Sequence, residues 1–334
     1  MQPSPALFFD TINAFHKSAA LKAAIDLELF SAIGDTPATA AELAGRCEAS
    51  LRGVRILADY LVILGFLTKG GERYALTPDS AFFLVRNSPA YCGAAGEFLH
   101  APAVADCFGD LAAAVRKGGT ATTKHGTVSH ENPVWEKFAR AMGPMMIPCA
   151  FGAAALVDLP QDRDTRILDI AAGHGFYGIT FAQMNPRAHL VALDWPAVVK
   201  VAQENACAAG LAARFSTIAG DAFSVGLGED YDIVLVPNFL HHFSRAGCVA
   251  FLRRVHAALR PGGRIVIVEF VPDENRVTPP PAAGFALVML ATTPEGDAYT
   301  FAEYEQMLVE SGFSSAICHP LPPTAQSAVI ADRK

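Results

Sequence analysis

Arg166-Ile-Leu-Asp-Ile-Ala-Ala-Gly-His-Gly-Phe-Tyr-Gly178 is the stretch whose reading decides the fold. Its apolar start, Arg166 to Ile170, has the length of a short buried strand and carries a carboxylate, Asp169, near its end. Gly173, Gly175 and Gly178 follow at the spacing of a tight turn, a close backbone approach to a ligand and a helix packed on the sheet. By itself this G-x-G-x-x-G pattern fits a nicotinamide or flavin site as well as any other nucleotide-like ligand.

Two downstream segments repeat the theme. Val191-Ala-Leu-Asp-Trp195 and Ala219-Gly-Asp-Ala-Phe223 each end an apolar run in an acid. Asp169 is placed to anchor a ligand's cationic amino end or to hold the glycine loop. Asp194 is placed for two ribose hydroxyls, since a carboxylate accepts two hydrogen bonds at once. Asp221 can accept from an adenine amino group, with Phe223 and Trp195 offering apolar surface. Any one of these acids reads equally well as a helix cap or a solvated turn. Three at successive strand ends suit S-adenosylmethionine better than a dinucleotide, whose folds do not require the first or the third. The expected donor site comprises Asp169, Ala171, Gly173, Gly175, Asp194, Trp195, Gly220, Asp221, Ala222, Phe223 and Asn238.

With these segments, Asn238-Phe-Leu-His-His-Phe243 and Leu259-Arg-Pro-Gly-Gly-Arg-Ile-Val-Ile-Val-Glu269, the chain resembles the class I methyltransferases. More narrowly it resembles the small-molecule enzymes related to plant-type O-methyltransferases. The resemblance spans nearly the whole sequence. It implies an α/β fold with a Rossmann-like sheet of seven strands, the last antiparallel, preceded by an α-helical winged-helix dimerisation domain. The implied organisation is a dimerisation domain over 1–95, a helical connector and substrate roof over 96–150, and a catalytic domain over 151–334. It further implies a homodimer formed through the N-terminal domain, with S-adenosyl-L-methionine as methyl donor and a small apolar or aromatic acceptor.

His241 matches the position of the general base in the resembling enzymes, and an imidazole suits removal of a hydroxyl proton near neutral pH. The local pattern departs from theirs. They show His-Asp-Trp with a lysine four residues before the histidine, whereas this chain has His241-His242-Phe243 and Pro237. Their imidazole is steadied by acids further on, for which Asp297 or Glu295 are the expected substitutes. The departures leave carbon or nitrogen open as the methylated atom. Met142, Met146, His242, Phe285 and Met289 are the expected acceptor contacts, the methionines reading equally as core. Adjacent histidines are poor chelating geometry, and no second acidic cluster completes a metal site.

From Thr165 to Phe270 strand-like and helix-like segments alternate, the pattern of a parallel doubly wound sheet. Strands are expected at 166–170, 189–193, 214–219, 233–236, 264–270, 315–320 and 327–331, with a helix over 282–291 after the stiff Thr278-Pro-Pro-Pro281 crossing. In the connector, Val104, Phe108, Leu111 and Val115 read as one helical face before the break at Gly118-Gly119. Trp135, Phe138, Met142, Met145 and Met146 form a second stripe, with Trp135 read as core rather than substrate wall.

Residues 4–33 read as two helices, with Leu7, Phe8, Ile12 and Phe15, then Leu21, Ile25, Leu29 and Phe30, on apolar faces. Thr39 with Glu42 is a capping-box start, a second helix follows near 51–64, and Phe66 to Thr77 reads as a hairpin turning at Gly70-Gly71. This helix-turn-helix with a wing raises the alternative of a nucleotide-sensing DNA-binding regulator. Residues 1–90 hold eight Lys/Arg against nine Asp/Glu, and a reader of phosphates should be clearly basic. The net charge of −7 repels polyanions. Seven scattered cysteines without close pairs read as free thiols in a reducing compartment. A start without basic residues or a long apolar run predicts a cytoplasmic protein without a membrane span.

Overall fold

The computed structural model describes residues 2–123 and 125–334, which form two compact units, Met1–Glu97 and Phe98–Lys334. In the first, three helices rather than two occupy the start: Ala6–Ile12, Ala14–Asp26 and Leu29–Ile33. Asn13 interrupts the first pair, and Glu28 at φ 51° forces the chain to turn before the third. The capping box forms as the sequence dictates, Thr39 accepting from the Glu42 N–H while the Glu42 carboxylate accepts from the Thr39 N–H.

Helices Ala40–Arg46 and Leu51–Ile63 lead to a small antiparallel sheet of β1 (Ala38–Thr39), β2 (Leu67–Gly70) and β3 (Arg73–Leu76) in the order β1-β3-β2. Gly71 turns the hairpin at φ 60°, a conformation that costs a Cβ-bearing residue. Leu29, Phe30, Leu43, Val54, Leu61 and Tyr74 form this unit's core. Leu7, Phe8, Ile12 and Phe15 lie outside it, each more than half exposed. On the helix that a DNA reader would insert, Arg55 is tied to Asp59 at 3.0 Å, and Lys69 and the Tyr74 hydroxyl converge on the same carboxylate.

The second unit is organised by seven strands: β4 (Thr165–Ile170), β5 (Ala188–Asp194), β6 (Phe215–Ala219), β7 (Tyr231–Pro237), β8 (Leu259–Glu269), β9 (Ile317–Pro320) and β10 (Ser327–Asp332). Their order is β6-β5-β4-β7-β8-β10-β9. The five strands from β4 to β8 are parallel, and β10 pairs antiparallel with β8 and with β9. The order reverses between β4 and β7, and such a switch point opens a crevice at the carboxyl ends of the strands. Runs such as Ile167-Leu168 and Ile265 to Val268 are buried on both faces, as continuous apolar strands in a helix-covered sheet must be. One core cluster gathers Val234, Phe251 and Ile267, the other Ile167, Phe181 and Val266.

Strand ends differ from expectation by a few residues for local reasons. β6 starts at Phe215 because Arg214 ends a 3-10 turn and donates to the carbonyls of Ala182, Asn185 and Ala188. β8 starts early, at Leu259, by pairing with Tyr231 across a register shift. In the connector the proposed single face breaks up: Val104 is buried, whereas Phe108 and Val115 are exposed on separate short helices. The helix after it, Val134–Ala154, runs across position 150 and joins connector to sheet without interruption. Among the described residues no helix is long and apolar enough to cross a membrane.

Candidate active site

The glycine loop follows β4 and opens the helix Phe176–Met184. Ala171, Gly173 and Gly175 all take positive φ, at 51°, 56° and 77°. The conformation is strained for Ala171 and free for the glycines, and such strain concentrates at functional sites. A side chain at Gly175 would strike Ala202 at 2.9 Å, and one at Gly178 would strike Leu190 at 2.6 Å and the Asp169 carboxylate at 2.8 Å. At Gly173 the same construction meets nothing closer than 3.9 Å. Gly175 and Gly178 thus serve packing, whereas Gly173 is required by its positive φ rather than by crowding.

Asp169 is fully buried. Its Oδ2 accepts from the Gly178 N–H at 2.9 Å, while Oδ1 is buried with no partner. Burial pushes this carboxyl up to about 8, against the pull of the Gly178 N–H. An orphaned buried acceptor costs about 1–3 kcal/mol, a cost that a cationic group would remove. Asp194, at the end of β5, accepts from the Gly173 N–H at 2.8 Å and the Trp195 N–H at 2.7 Å. It therefore ties the glycine loop to the second strand, and burial raises it to about 6. These observations fit a donor carrying an ammonium group and a ribose: Asp169 for the first, Asp194 for the second.

The third acid behaves differently. Asp221 uses Oδ1 to accept from the Phe223 N–H at 2.9 Å, the local turn that its residue type favours. Phe223 leans into an aromatic cluster with Phe239, Phe243 and Phe251, Ala222 is buried, and Gly220 takes φ 142°. Trp195 is half-buried with its ring 4.7 Å from that of His130. His174, inside the glycine loop, belongs to the site without any sign of it in the sequence pattern. It is buried and pulled down to about 4 by that burial, so its neutral Nδ1 accepts from the Phe176 N–H at 3.0 Å.

After β7 the chain turns at Asn238, φ 52°. Gln326 donates to its Oδ1, its Nδ2 reaches the Tyr177 hydroxyl at 3.5 Å, and that hydroxyl donates back to Gln326 at 3.4 Å. The Tyr177 hydroxyl also lies 3.8 Å from the Met146 sulfur. His241 follows on a 3-10 turn and is buried. Its Nδ1 lies 2.5 Å from Oε2 of Glu269, a fully buried carboxylate at the end of β8. Glu269 Oε1 accepts from the backbone N–H groups of Phe239 and His241. The acid that steadies the imidazole is therefore Glu269, not Asp297 or Glu295. The Asp297 carboxylate faces Arg276 at 3.3 Å, and only its backbone N–H reaches the His241 carbonyl. Glu295 is exposed.

The Phe285 ring stands edge-on to His241 at 4.8 Å and stacks on Phe270 at 4.2 Å. His242 lies beside His241, with the Trp135 ring edge-on at 5.1 Å. Trp135 donates to the Thr127 carbonyl at 2.9 Å and packs beside Ala139 and Val198, as a core residue does. Met142 and Met289 are buried in their helices, which packing alone also produces. The connector is sewn to the end of the helix Pro280–Thr292, since Thr120 N–H donates to the Thr293 carbonyl at 2.8 Å and Thr127 to the Thr292 carbonyl at 3.2 Å. Among the described residues no cluster of three or more His, Cys, Asp or Glu could hold a metal ion.

A family model described as the O-methyltransferase domain matches residues 108–314, and one described as the O-methyltransferase dimerisation domain matches residues 9–86. A 3-hydroxy-5-methyl-1-naphthoate 3-O-methyltransferase from Streptomyces sahachiroi is 31% identical, over 93% of this chain and 90% of its own length. The crystal structure of a candidate O-methyltransferase from Nostoc punctiforme is 52% identical with a TM-score of 0.96, covering 99% of this chain and 100% of that one. The human N-acetylserotonin methyltransferase, crystallised with S-adenosylmethionine, shares the fold at a TM-score of 0.87 and 24% identity, over 100% of this chain and 98% of that one. A sheet of this order, acids at the ends of its first strands and both family matches agree: the chain belongs to the S-adenosylmethionine-dependent O-methyltransferases.

Proposed function

We propose that this protein methylates a hydroxyl oxygen on a small, flat, apolar or aromatic acceptor, with His241 receiving the hydroxyl proton. The observation that carries this reading is the buried pair of His241 Nδ1 and Glu269 Oε2 at 2.5 Å, set at the carboxyl edge of β7 beside the Phe285 ring. A carboxylate already accepting two backbone N–H groups serves as acceptor for the imidazole too, so Nδ1 carries the hydrogen and Nε2 is the basic atom. The pair then stabilises the imidazolium that forms when a proton arrives.

S-adenosylmethionine, when bound, supplies an already activated methyl carbon, which leaves the protein the work of positioning. Asp169 and Asp194 hold the donor in this reading, with Ala171, Gly173, Gly175, Trp195, Gly220, Asp221, Ala222, Phe223 and Asn238 around it. Phe285, His242, Met142, Met146 and Met289 line the acceptor side. The relative acting on a hydroxynaphthoate supports a fused aromatic phenol as the first acceptor class to try. The exposed Leu7, Phe8, Ile12 and Phe15, the last two within the segment matched by the dimerisation model, support a homodimer built by the N-terminal unit.

The test is product analysis with a panel of hydroxynaphthoates and matched aminonaphthoates. Methylation of the hydroxyl compounds, with His241→Ala lowering turnover by about 10²- to 10⁴-fold and leaving S-adenosylhomocysteine affinity unchanged, is the expected result. Methylation confined to the amines, or full turnover in the variant, would move the reaction to nitrogen or remove His241 from it.

A further inference from the structure

His241 cannot present its basic nitrogen directly to an acceptor in this arrangement. Its Nδ1 is taken by Glu269 and its Nε2 by the Nε2 of His242, 3.2 Å away. Two imidazole nitrogens at that distance share one hydrogen. Because the Glu269 carboxylate fixes the hydrogen of His241 on Nδ1, its Nε2 is a lone pair, and the shared hydrogen belongs to His242. A neutral His242 protonated on Nε2 has its own lone pair on Nδ1. That atom is buried and has no hydrogen-bond partner.

Burial and the neighbouring His241 both hold His242 well below its ordinary titration range, so the ring is neutral and the assignment of one hydrogen to it is complete. Asp169 Oδ1 and His242 Nδ1 are thus both buried acceptors without a partner. The first asks for a cation; the second asks for a hydrogen-bond donor. The indole N–H of Trp135, whose ring stands edge-on to His242, is directed to the Thr127 carbonyl and does not supply it.

We propose that the acceptor hydroxyl meets His242 Nδ1, and that His242 passes the proton to the His241–Glu269 pair. The acceptor O–H bond breaks with its electron pair left on oxygen, and a new N–H bond forms at His242 Nδ1. The N–H bond at His242 Nε2 breaks as one forms at His241 Nε2. His242 ends neutral with its hydrogen moved from Nε2 to Nδ1, and the positive charge rests on His241 against Glu269. This extends the reading of His241 as proton acceptor and assigns His242, there only a wall residue, a catalytic contact.

The test is ¹⁵N NMR of histidine-labelled protein saturated with S-adenosylhomocysteine, with His241→Ala and His242→Phe providing assignments and 1-naphthol as the probe phenol. The expected result is His241 protonated on Nδ1, His242 protonated on Nε2, and a shift of the bare His242 Nδ1 resonance on adding naphthol. Single-turnover methylation of 1-naphthol should fall about 10²-fold or more in His242→Phe, with S-adenosylhomocysteine affinity unchanged. A His242 protonated on Nδ1, a naphthol shift at His241 Nε2 alone, or an unmoved His242 resonance overturns the relay while leaving His241 as the proton acceptor. A His241 not protonated on Nδ1 overturns the parent reading instead.

Discussion

Single residues of this site work through burial. Asp169, raised to about 8, sits above the value of about 3.9 it has when unfolded. Its contribution to ligand-free stability is therefore present below about pH 4 and is lost as pH climbs toward 8. A bound ammonium reverses the preference, so binding expels a proton. Donor affinity should rise as pH increases from about 6 to about 8, and calorimetry in buffers of different ionisation enthalpy should register proton release near pH 7. Asp169→Asn should abolish both; a proton release that survives in the variant would place its origin elsewhere. Glu269→Gln, which keeps shape but loses the charge against His241, should cut turnover on phenols by about tenfold or more and move the acidic limb of the pH profile, where the base takes up its proton. An unaltered profile would make Glu269 a mere backbone tether.

The sequence made Asp169 and Asp194 legible because each closes an apolar run before a glycine or helix start. Glu269 closes Ile265 to Val268 in the same way, and the same sign went unread because its partner, His241, lies one strand away. Asp221 carried that sign too, yet its carboxylate serves its own turn. A carboxylate at a strand end marks the edge of the sheet, and only the neighbouring strand decides whether it faces a ligand, a histidine or its own backbone.

Between elements, contact is set by glycine. The helix Phe176–Met184 lies close on β5 because Gly178 leaves no side chain between them, and the Asp169 carboxylate occupies the space released. Gly178→Ala should cost about 1–3 kcal/mol of stability by overpacking and weaken donor binding by displacing Asp169. Thermal unfolding and calorimetry on one preparation would read both, and a variant equal to the parent in both would refute this account of the glycine. The β-strands were readable from the sequence to within a few residues because both their faces are buried. The connector was less so: its helices are four to seven residues long, and tertiary bonds to Thr292 and Thr293 fix them where local periodicity cannot.

For the whole molecule, the two units answer different questions. The N-terminal one leaves Leu7, Phe8, Ile12 and Phe15 uncovered, and burying each such side chain stabilises association by about 1.5–3 kcal/mol. Sedimentation should find a dimer, and Phe8→Glu with Phe15→Glu should weaken it a hundredfold or more; a monomeric parent, or an unaffected double variant, would refute the proposed interface. The catalytic unit rests on one claim, that the carboxylates closing β4 and β5 hold the methyl donor. Calorimetric titration of S-adenosylhomocysteine into the parent and Asp194→Ala proteins tests it most directly. Loss of the hydroxyl hydrogen bonds to a charged acceptor, worth about 1.5–3 kcal/mol, predicts one site per chain in the parent and roughly ten- to hundredfold weaker binding in the variant, whereas equal affinity in the two proteins would contradict the account.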